Sequence, residues 1–286
     1  SRAIAQEVKE GRGSKHGGAY FSLRHIPRNL LEEVFEENKD NLFLVKLKKA
    51  GIDLRFDAIE VGPGAHYVQG GCWINEKCET DLPGLYAIGE AGSGGKDGAD
   101  RLGGTAIPFC MAMGMIAGKE AALRAQEKPV PEMDGEQVEK SVERALAPMK
   151  REQGIRPFEI RQKIRNIMSA HAVFARTEDG LSMAFGEMEK FHNIVVSQLW
   201  VSNKARRFNL DWAEALEAAN MVTNCEMVLR SALMRKESRG LHDRADYPNG
   251  DDEWLKHVMI VKDGENMNLS TEPVTLSHFE PEVRKE

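Results

Sequence analysis

The densest group of residues able to do chemistry lies between Thr80 and Ile107, in the sequence TDLPGLYAIGEAGSGGKDGADRLGGTAI. Within it, the apolar run GLYAIGE predicts a buried strand that ends at Gly89 and Glu90. A glycine there allows the backbone to approach a ligand closely, and a carboxylate can accept a hydrogen bond from a sugar-like hydroxyl. The alternative is an ordinary strand end. The glycines of GSGG do not complete G-x-G-x-x-G, so the pyrophosphate-binding turn of a dinucleotide site is not in this chain.

The start of an apolar helix follows the glycine-rich loop directly. Thr105 is the candidate N-cap, and Pro108 is tolerated in the first turn because its missing N–H has no intrahelical partner there. The first N–H groups of a helix are unpaired, and the helix dipole adds partial positive charge. We therefore expect an anion or an electron-rich group at the backbone of Ala106 and Ile107. The alternative is a helix end capped only by Thr105 and water.

Two basic side chains also lie beside glycines. Arg101, in GADRLGG, can offer a planar pair of N–H donors to a carboxylate, and its alternative is an ion pair with a neighbour such as Asp97. His66, in GAHYVQGG, lies where glycines permit close backbone approach, although a lone histidine is more often structural. Both are candidate catalytic or substrate-binding residues.

Composition excludes several classes of function. The 286 residues are 41% hydrophobic and carry a net charge of -6, so the chain is globular and has no field that attracts nucleic acid. Four cysteines without C-x-x-C spacing predict no metal site, no iron–sulfur cluster held by this chain, no disulfide framework and a reducing, cytoplasmic compartment. No stretch approaches about 18 uncharged residues, so we expect no direct membrane insertion.

The elements that must position these residues follow from periodicity. The pattern predicts a helix over 1–10, a strand within 19–25, two short helices ending at Gly51, and strands joined by loops over 54–75. It then predicts a buried helix over 105–126, a linker over 128–136, a bundle of long helices and a C-terminal hairpin. In one bundle helix, the predicted core face includes Met183, Met188, His192 and Val195.

Charged side chains near the C-terminus, in ESRGLHDRADYP, predict a network that docks the tail onto the bundle, formed by Arg239, Asp243, Arg244 and Asp246. Two other arginines, Arg206 and Arg207, predict a solvated helix end, with a partner-docking patch as the alternative.

Four separated motifs resemble the flavoprotein subunit of succinate dehydrogenase and fumarate reductase, and the related L-aspartate oxidases. They are SRAIAQEVKEGRG, HYVQGG, GADRLGG and RSALMRKESRGLHDRADYP, in that order. The resemblance implies an FAD-dependent oxidoreductase that moves hydride between flavin N5 and a four-carbon dicarboxylate. It implies that His66 and Arg101 bind substrate carboxylate. It also implies FAD contacts at Gly89, Glu90, Thr105, Ala106 and Ile107.

The sequence departs from the family pattern in three ways. The proton-transferring arginine of the family would fall three residues before Ser1, and the first Rossmann turn would also lie before it, so we expect an N-terminal FAD-binding half upstream or as a second polypeptide. The family's G-A-N-R-L-G-G-N-S-L is GADRLGGTAI here, and Asp97 replaces a histidine. The two acids, Asp97 and Asp100, favour the alternative of an L-aspartate oxidase or another 2-enoate oxidoreductase. A third alternative is a non-catalytic docking subunit that binds an iron–sulfur partner.

The expected fold class is α/β plus α: the C-terminal part of a Rossmann-like FAD-binding domain with a remnant of a capping domain, then a helical bundle and a small C-terminal tail. Any membrane association would go through partner subunits. The expected domains are a capping remnant over 1–57, an FAD-binding segment over 58–126, a helical domain over 127–236 and a tail domain over 237–286.

Overall fold

The computed structural model describes residues 2–92, 95–129, 132–264 and 266–276. The chain divides into two compact units, Ser1–His66 and Tyr67–Glu286. Each unit is described by itself.

The first unit combines three short helices with a two-stranded sheet. The two predicted short helices are confirmed, and the strand predicted within 19–25 is present but covers three residues only. The segment 54–75 was predicted to form strands joined by loops. It contains one strand of three residues, and most of the rest is loop. The elements are α1 (Arg2–Lys9), β1 (Ala19–Phe21), α2 (Arg28–Glu37), α3 (Leu42–Lys49) and β2 (Ile59–Val61), with β1 and β2 antiparallel.

The second unit consists of long helices followed by a hairpin. The predicted C-terminal hairpin is confirmed, and its turn includes Gly264, which has φ +59°. The elements are α4 (Ala106–Glu127), α5 (Gly135–Lys150), α6 (Pro157–His171), α7 (Glu178–Ser197), α8 (Leu210–Met234), β3 (Lys256–Asp263) and β4 (Asn266–Pro273).

The main apolar core lies between α6, α7 and α8. The prediction that Met188 and Val195 belong to it is confirmed, but His192 and Met183 are exposed, so their placement in the core was wrong. Phe191, three residues after Met188, continues the buried face of α7, whereas His192, four residues after Met188, is exposed. That face consists of Leu181, Ala184, Met188, Phe191 and Val195.

The buried strand predicted over 84–90 is not formed. Tyr86 makes only an isolated antiparallel bridge to Glu79, while Leu85 and Ile88 are exposed. Among the described residues of the second unit, only the antiparallel segment 78–80 pairs with it: the Ala87 N–H donates to the Cys78 carbonyl and the Thr80 N–H to the Leu85 carbonyl, each at 3.0 Å. A buried parallel strand needs a parallel partner on its edges, and the described residues provide none. The apolar sequence is therefore present without the sheet that would bury it.

The prediction that α4 is buried was also wrong. Ile107, Met111 and Met115 are 73%, 68% and 78% exposed, and only Met113 and Ala117 are buried. The helix is apolar on all sides, but the described residues cover one side only. By length and composition, α4 is the single helix in the described residues that could cross a membrane. A helix from the core of a larger protein has the same composition.

The C-terminal ion-pair network is confirmed in part: Arg244 pairs with Asp246 as predicted, whereas Arg239 pairs with Glu237 and the Asp243 carboxylate accepts a hydrogen bond from the Ala175 N–H at 3.0 Å. Glu237 and Arg244 are almost fully buried, and Arg244 donates to both carboxylate oxygens of Asp246 at 2.7 Å. Arg244 also donates to the main-chain oxygen of Ala232 in α8, at 2.7 Å. Because a buried charge is costly unless it is paired, this network fixes the segment after α8 against the helix end.

A buried histidine in the same region makes stability depend on pH. The Nδ1 of His242 lies 2.8 Å from an Arg176 guanidinium nitrogen, which can only donate, and its Nε2 lies 3.1 Å from the Arg235 carbonyl. His242 is therefore the neutral Nε2–H tautomer. Burial, followed by the nearby arginine charges, lowers the pKa of His242 to about 4.

We expect protonation of His242 to destabilise the fold. The pKa of His242 is lower in the folded state than in the unfolded state. Its contribution to the free energy of unfolding is therefore complete above about pH 6.5 and is lost as the pH falls through about 4, by at most about 1.4 kcal/mol per pH unit. Urea denaturation at a series of pH values measures this. A His242→Gln variant should flatten the dependence, and the exposed His192→Gln control should not. Equal slopes in all three proteins would contradict the assignment.

Candidate functional site

The loop before α4 holds Arg101 in a defined conformation. The Cζ of Arg101 lies 4.4 Å from the ring centroid of Tyr67, and its Nη1 donates to the Leu102 carbonyl at 3.2 Å and to the Thr105 hydroxyl at 3.4 Å. Its Nε is buried and has no hydrogen-bond partner in the described part of the chain. Since a buried guanidinium N–H is costly to leave unpaired, this donor is suited to an anion.

The alternative considered for Arg101, an ion pair with Asp97, is not formed. Asp97 pairs instead with Lys96 at 2.8 Å, and the two side chains are only 6% and 13% exposed. The Nζ of Lys96 lies 3.7 Å from the ring centroid of Phe109. Asp97 Oδ2 is buried without a hydrogen-bond partner among the described residues.

Tyr67 connects these charged groups. Its ring lies under Arg101 and 6.0 Å from Lys96 Nζ. Burial and then the nearby Asp97 carboxylate raise the pKa of the Tyr67 phenol, so the phenol stays protonated at neutral pH. Sequence reasoning missed Tyr67 and Lys96, although each directly adjoins a candidate: Tyr67 follows His66, and Lys96 precedes Asp97.

The N-terminus of α4 has no side-chain cap. Thr105 occupies the N-cap position as predicted, but its hydroxyl donates to the Leu102 carbonyl at 2.8 Å and does not cap the helix. The N–H groups of Ala106 and Ile107 therefore lack a side-chain acceptor in the described residues. A Cβ added at Gly103 or Gly104 would have nothing within 4 Å, so the space beside the helix start is open.

Gly89 and Glu90 form a turn that packs against α4. Gly89 has φ +58°, and a Cβ there would lie 2.6 Å from the sulfur of Cys110. Close packing on α4 therefore already requires glycine at this position. The exposed Glu90 accepts a hydrogen bond from the Val68 N–H through Oε1 at 2.7 Å, which leaves Oε2 for another donor.

His66 is exposed and ends the first unit. The second unit contains the other predicted residues, namely Gly89, Glu90, Arg101, Thr105, Ala106 and Ile107. The described residues contain no group of three or more His, Cys, Asp or Glu able to hold a metal ion.

These residues fit the flavin that the resemblance implies. An uncapped helix start beside two open glycines suits an electron-rich ring edge. The buried, unpartnered Nε of Arg101 suits a carboxylate next to it. The donor set is therefore consistent with a flavin and an acidic reactant at the N-terminus of α4.

Two family models match most of the chain. Residues 1–107 match the FAD binding domain, and residues 161–286 match the fumarate reductase flavoprotein C-terminal region. These matches indicate FAD as the cofactor.

Similar proteins and solved structures support the same family as these two family models. One subunit of the fumarate reductase (CoM/CoB) of Methanothermobacter marburgensis is 34% identical over 91% of this chain and 46% of its own length. The succinate dehydrogenase flavoprotein subunit of Rickettsia conorii is 30% identical over 99% of this chain and 49% of its own. The Sdh1 complex of Mycobacterium smegmatis in the apo form superposes with a TM-score of 0.83 at 31% identity, over 95% of this chain and 46% of the matched chain.

The chain thus spans about half the length of the relatives it matches. Its motifs, both family models and its fold agree, and L-aspartate oxidase is a more distant relative. The chain belongs to the flavoprotein family of succinate dehydrogenase and fumarate reductase.

Proposed function

We propose that this chain contributes to an FAD-dependent oxidoreductase that interconverts succinate and fumarate, or a similar four-carbon dicarboxylate pair. The observation that supports this most is the geometry of Arg101, whose guanidinium lies against Tyr67 with a buried, unpartnered Nε at the start of α4. When bound, FAD supplies the hydride acceptor or donor at N5.

Arg101 would bind one carboxylate of the substrate. Its contact with the Tyr67 ring and its bonds to Leu102 and Thr105 restrict its rotation before substrate arrives. Binding then requires little further ordering of the side chain. His66 is proposed as a further substrate ligand on the HYVQGG motif alone.

The backbone of α4 would stabilise the reduced flavin. The N–H groups of Ala106 and Ile107 and the helix dipole favour negative charge, which develops at the N1–C2=O edge on two-electron reduction. They would therefore raise the reduction potential. Gly89 permits α4 to pack close to Glu90, whose free Oε2 would accept a hydrogen bond from the ribityl chain.

The proposal also predicts what covers the exposed face of α4. Ile107, Met111 and Met115 form an apolar stripe spaced by one helical turn. The rest of the FAD-binding domain, in the same polypeptide or a second one, would bury it. An iron–sulfur subunit would exchange electrons with the flavin, and this partner would connect the protein to a membrane.

Turnover tests the proposed function in this chain assembled with its N-terminal FAD-binding half and loaded with FAD, which we call the FAD-loaded protein. Fumarate reduction by a reduced dye and succinate oxidation with a dye acceptor should both proceed, and both should depend on Arg101. A docking subunit would bind an iron–sulfur partner without turnover, and its properties would be unchanged in Arg101→Ala. Absence of both activities in flavin-loaded protein would refute the proposal.

Asp97 favours a second candidate, an amino-acid oxidoreductase of the L-aspartate oxidase type. Its buried Oδ2 has no hydrogen-bond partner among the described residues, and a substrate ammonium group would supply one. The Asp97→Asn variant should then weaken L-aspartate binding by about 10-fold or more, because a hydrogen bond to a charged group contributes about 1.5–3 kcal/mol. Fumarate binding should stay the same or tighten.

The exposed Asp81→Asn is the matched control, and steady-state KM values for the two substrates are the measurement. A substrate preference for fumarate that Asp97→Asn leaves unchanged would contradict the amino-acid candidate.

A further inference from the structure

A tight turn after α8 is rigidly built. Arg239 and His242 exchange two backbone hydrogen bonds, at 2.8 and 3.0 Å, and Gly240 between them has φ +56°. The Arg239 side chain binds the buried carboxylate of Glu237, so the turn is fixed to the ion-pair network at the end of α8.

This turn contacts the loop that carries Arg101. The Leu241 N–H donates to the Ala99 carbonyl at 2.9 Å. A Cβ at Gly240 would lie 2.5 Å from that same oxygen and 2.7 Å from the carbonyl carbon. The two backbones touch so closely that only glycine fits. Ala99 is two residues before Arg101.

The loop over 95–104 needs such support because its own sequence is flexible. Gly98 and Gly104 have positive φ values, and a Cβ at either would have nothing within 4 Å. A second support lies at the start of the loop, where a Cβ on Gly95 would be 2.6 Å from the Trp73 ring. That ring in turn meets His257 of β3, with ring centroids 5.3 Å apart.

We propose that the turn Arg239–His242 is a positioning element for substrate binding, with Gly240 as its positioning residue: it holds Ala99 and thereby sets the orientation of Arg101. This inference rests on the proposed function in one respect, the role of Arg101 as the carboxylate ligand. It assigns to the C-terminal tail a task beyond docking onto the bundle.

The Gly240→Ala variant tests this role, and Gly264→Ala is a matched control. Both glycines have nearly the same positive φ, +56° and +59°, so alanine meets similar backbone strain at each. Only Gly240 has a neighbour that the new methyl group would strike, since Gly264 has nothing within 4 Å. A difference between the variants therefore reports the contact with Ala99.

Two measurements on the FAD-loaded protein are needed. Amide hydrogen exchange of the peptide spanning 98–104 should accelerate about 10-fold in Gly240→Ala and stay unchanged in Gly264→Ala. The dissociation constant for succinate should rise about 10-fold in Gly240→Ala alone. In the Arg101→Ala background, Gly240→Ala should cause no further loss of affinity, because the residue acts through Arg101.

The outcomes separate the two proposals. If Gly240→Ala lowers Tm without changing exchange at 98–104, the positioning role is refuted. If exchange accelerates but Arg101→Ala leaves succinate affinity unchanged, the proposed function fails. Should Gly240→Ala not fold, Arg239→Ala loosens the attachment of the turn to Glu237 without a clash and should still accelerate exchange at 98–104. An unchanged exchange rate in that variant would also count against the proposal.

Discussion

Replacing Arg101 by alanine is expected to weaken dicarboxylate binding about 30-fold or more, which corresponds to about 2 kcal/mol. The guanidinium lies against the Tyr67 ring with a buried Nε that has no partner among the described residues, so a carboxylate gains a pre-oriented, charged donor. Isothermal titration of the FAD-loaded protein with succinate or fumarate measures the change.

Two controls sharpen this prediction. Arg206→Ala removes an exposed arginine and should leave affinity unchanged. Arg101→Lys retains charge but loses the planar pair of donors, and we expect it to recover only part of the lost affinity. Equal dissociation constants in the wild type and Arg101→Ala would show that the substrate does not bind here.

Replacing Arg244 by methionine is expected to lower the free energy of unfolding by about 3–5 kcal/mol. Arg244 is fully buried, donates twice to Asp246 and also to the Ala232 carbonyl, and removing it leaves those acceptors without their donor. Urea denaturation at neutral pH measures the loss.

The exposed Arg207→Met is the matched control, with an expected change below about 0.5 kcal/mol. In addition, the Arg244 guanidinium is the largest cause that lowers the pKa of Asp246 to about 2, with smaller contributions from backbone N–H donors, so this pKa should rise in Arg244→Met. A variant as stable as the wild type would show that the tail is held by packing alone.

The periodicity of apolar residues predicted those helices and strands whose formation depends mainly on neighbouring residues. The short helices of the first unit, α4 and the C-terminal hairpin follow from helix and strand periodicity, and all are present. The pairing of Arg244 with Asp246 was also predicted, because the two lie within a few residues of each other. Identity of the family followed from motifs rather than from periodicity.

Burial was harder to predict, because it depends on residues far apart in the sequence. The run GLYAIGE and helix α4 are apolar enough for a core, yet the described residues leave much of both exposed. His192 failed for a different reason: helical spacing alone did not distinguish it from Phe191 as the next buried position of α7.

Contacts within the candidate site were also hard to predict from the sequence. Arg101, which sequence reasoning proposed as a substrate ligand, lies within hydrogen-bond reach of Thr105 at the start of α4. Its alternative role as the ion-pair partner of Asp97 is taken by Lys96. The contact of Gly240 with Ala99 joins segments that are distant in the chain, and nothing in either local sequence indicates it.

The central claim is that Arg101 and the N-terminus of α4 face a bound flavin and its acidic reactant. A titration of the FAD-loaded protein with fumarate, followed by the flavin absorption spectrum, tests it most directly. We predict one FAD per chain and a saturable spectral shift that is lost in Arg101→Ala and retained in Arg206→Ala. A protein that takes up no FAD, or a spectral shift with the same midpoint in Arg101→Ala, would contradict it.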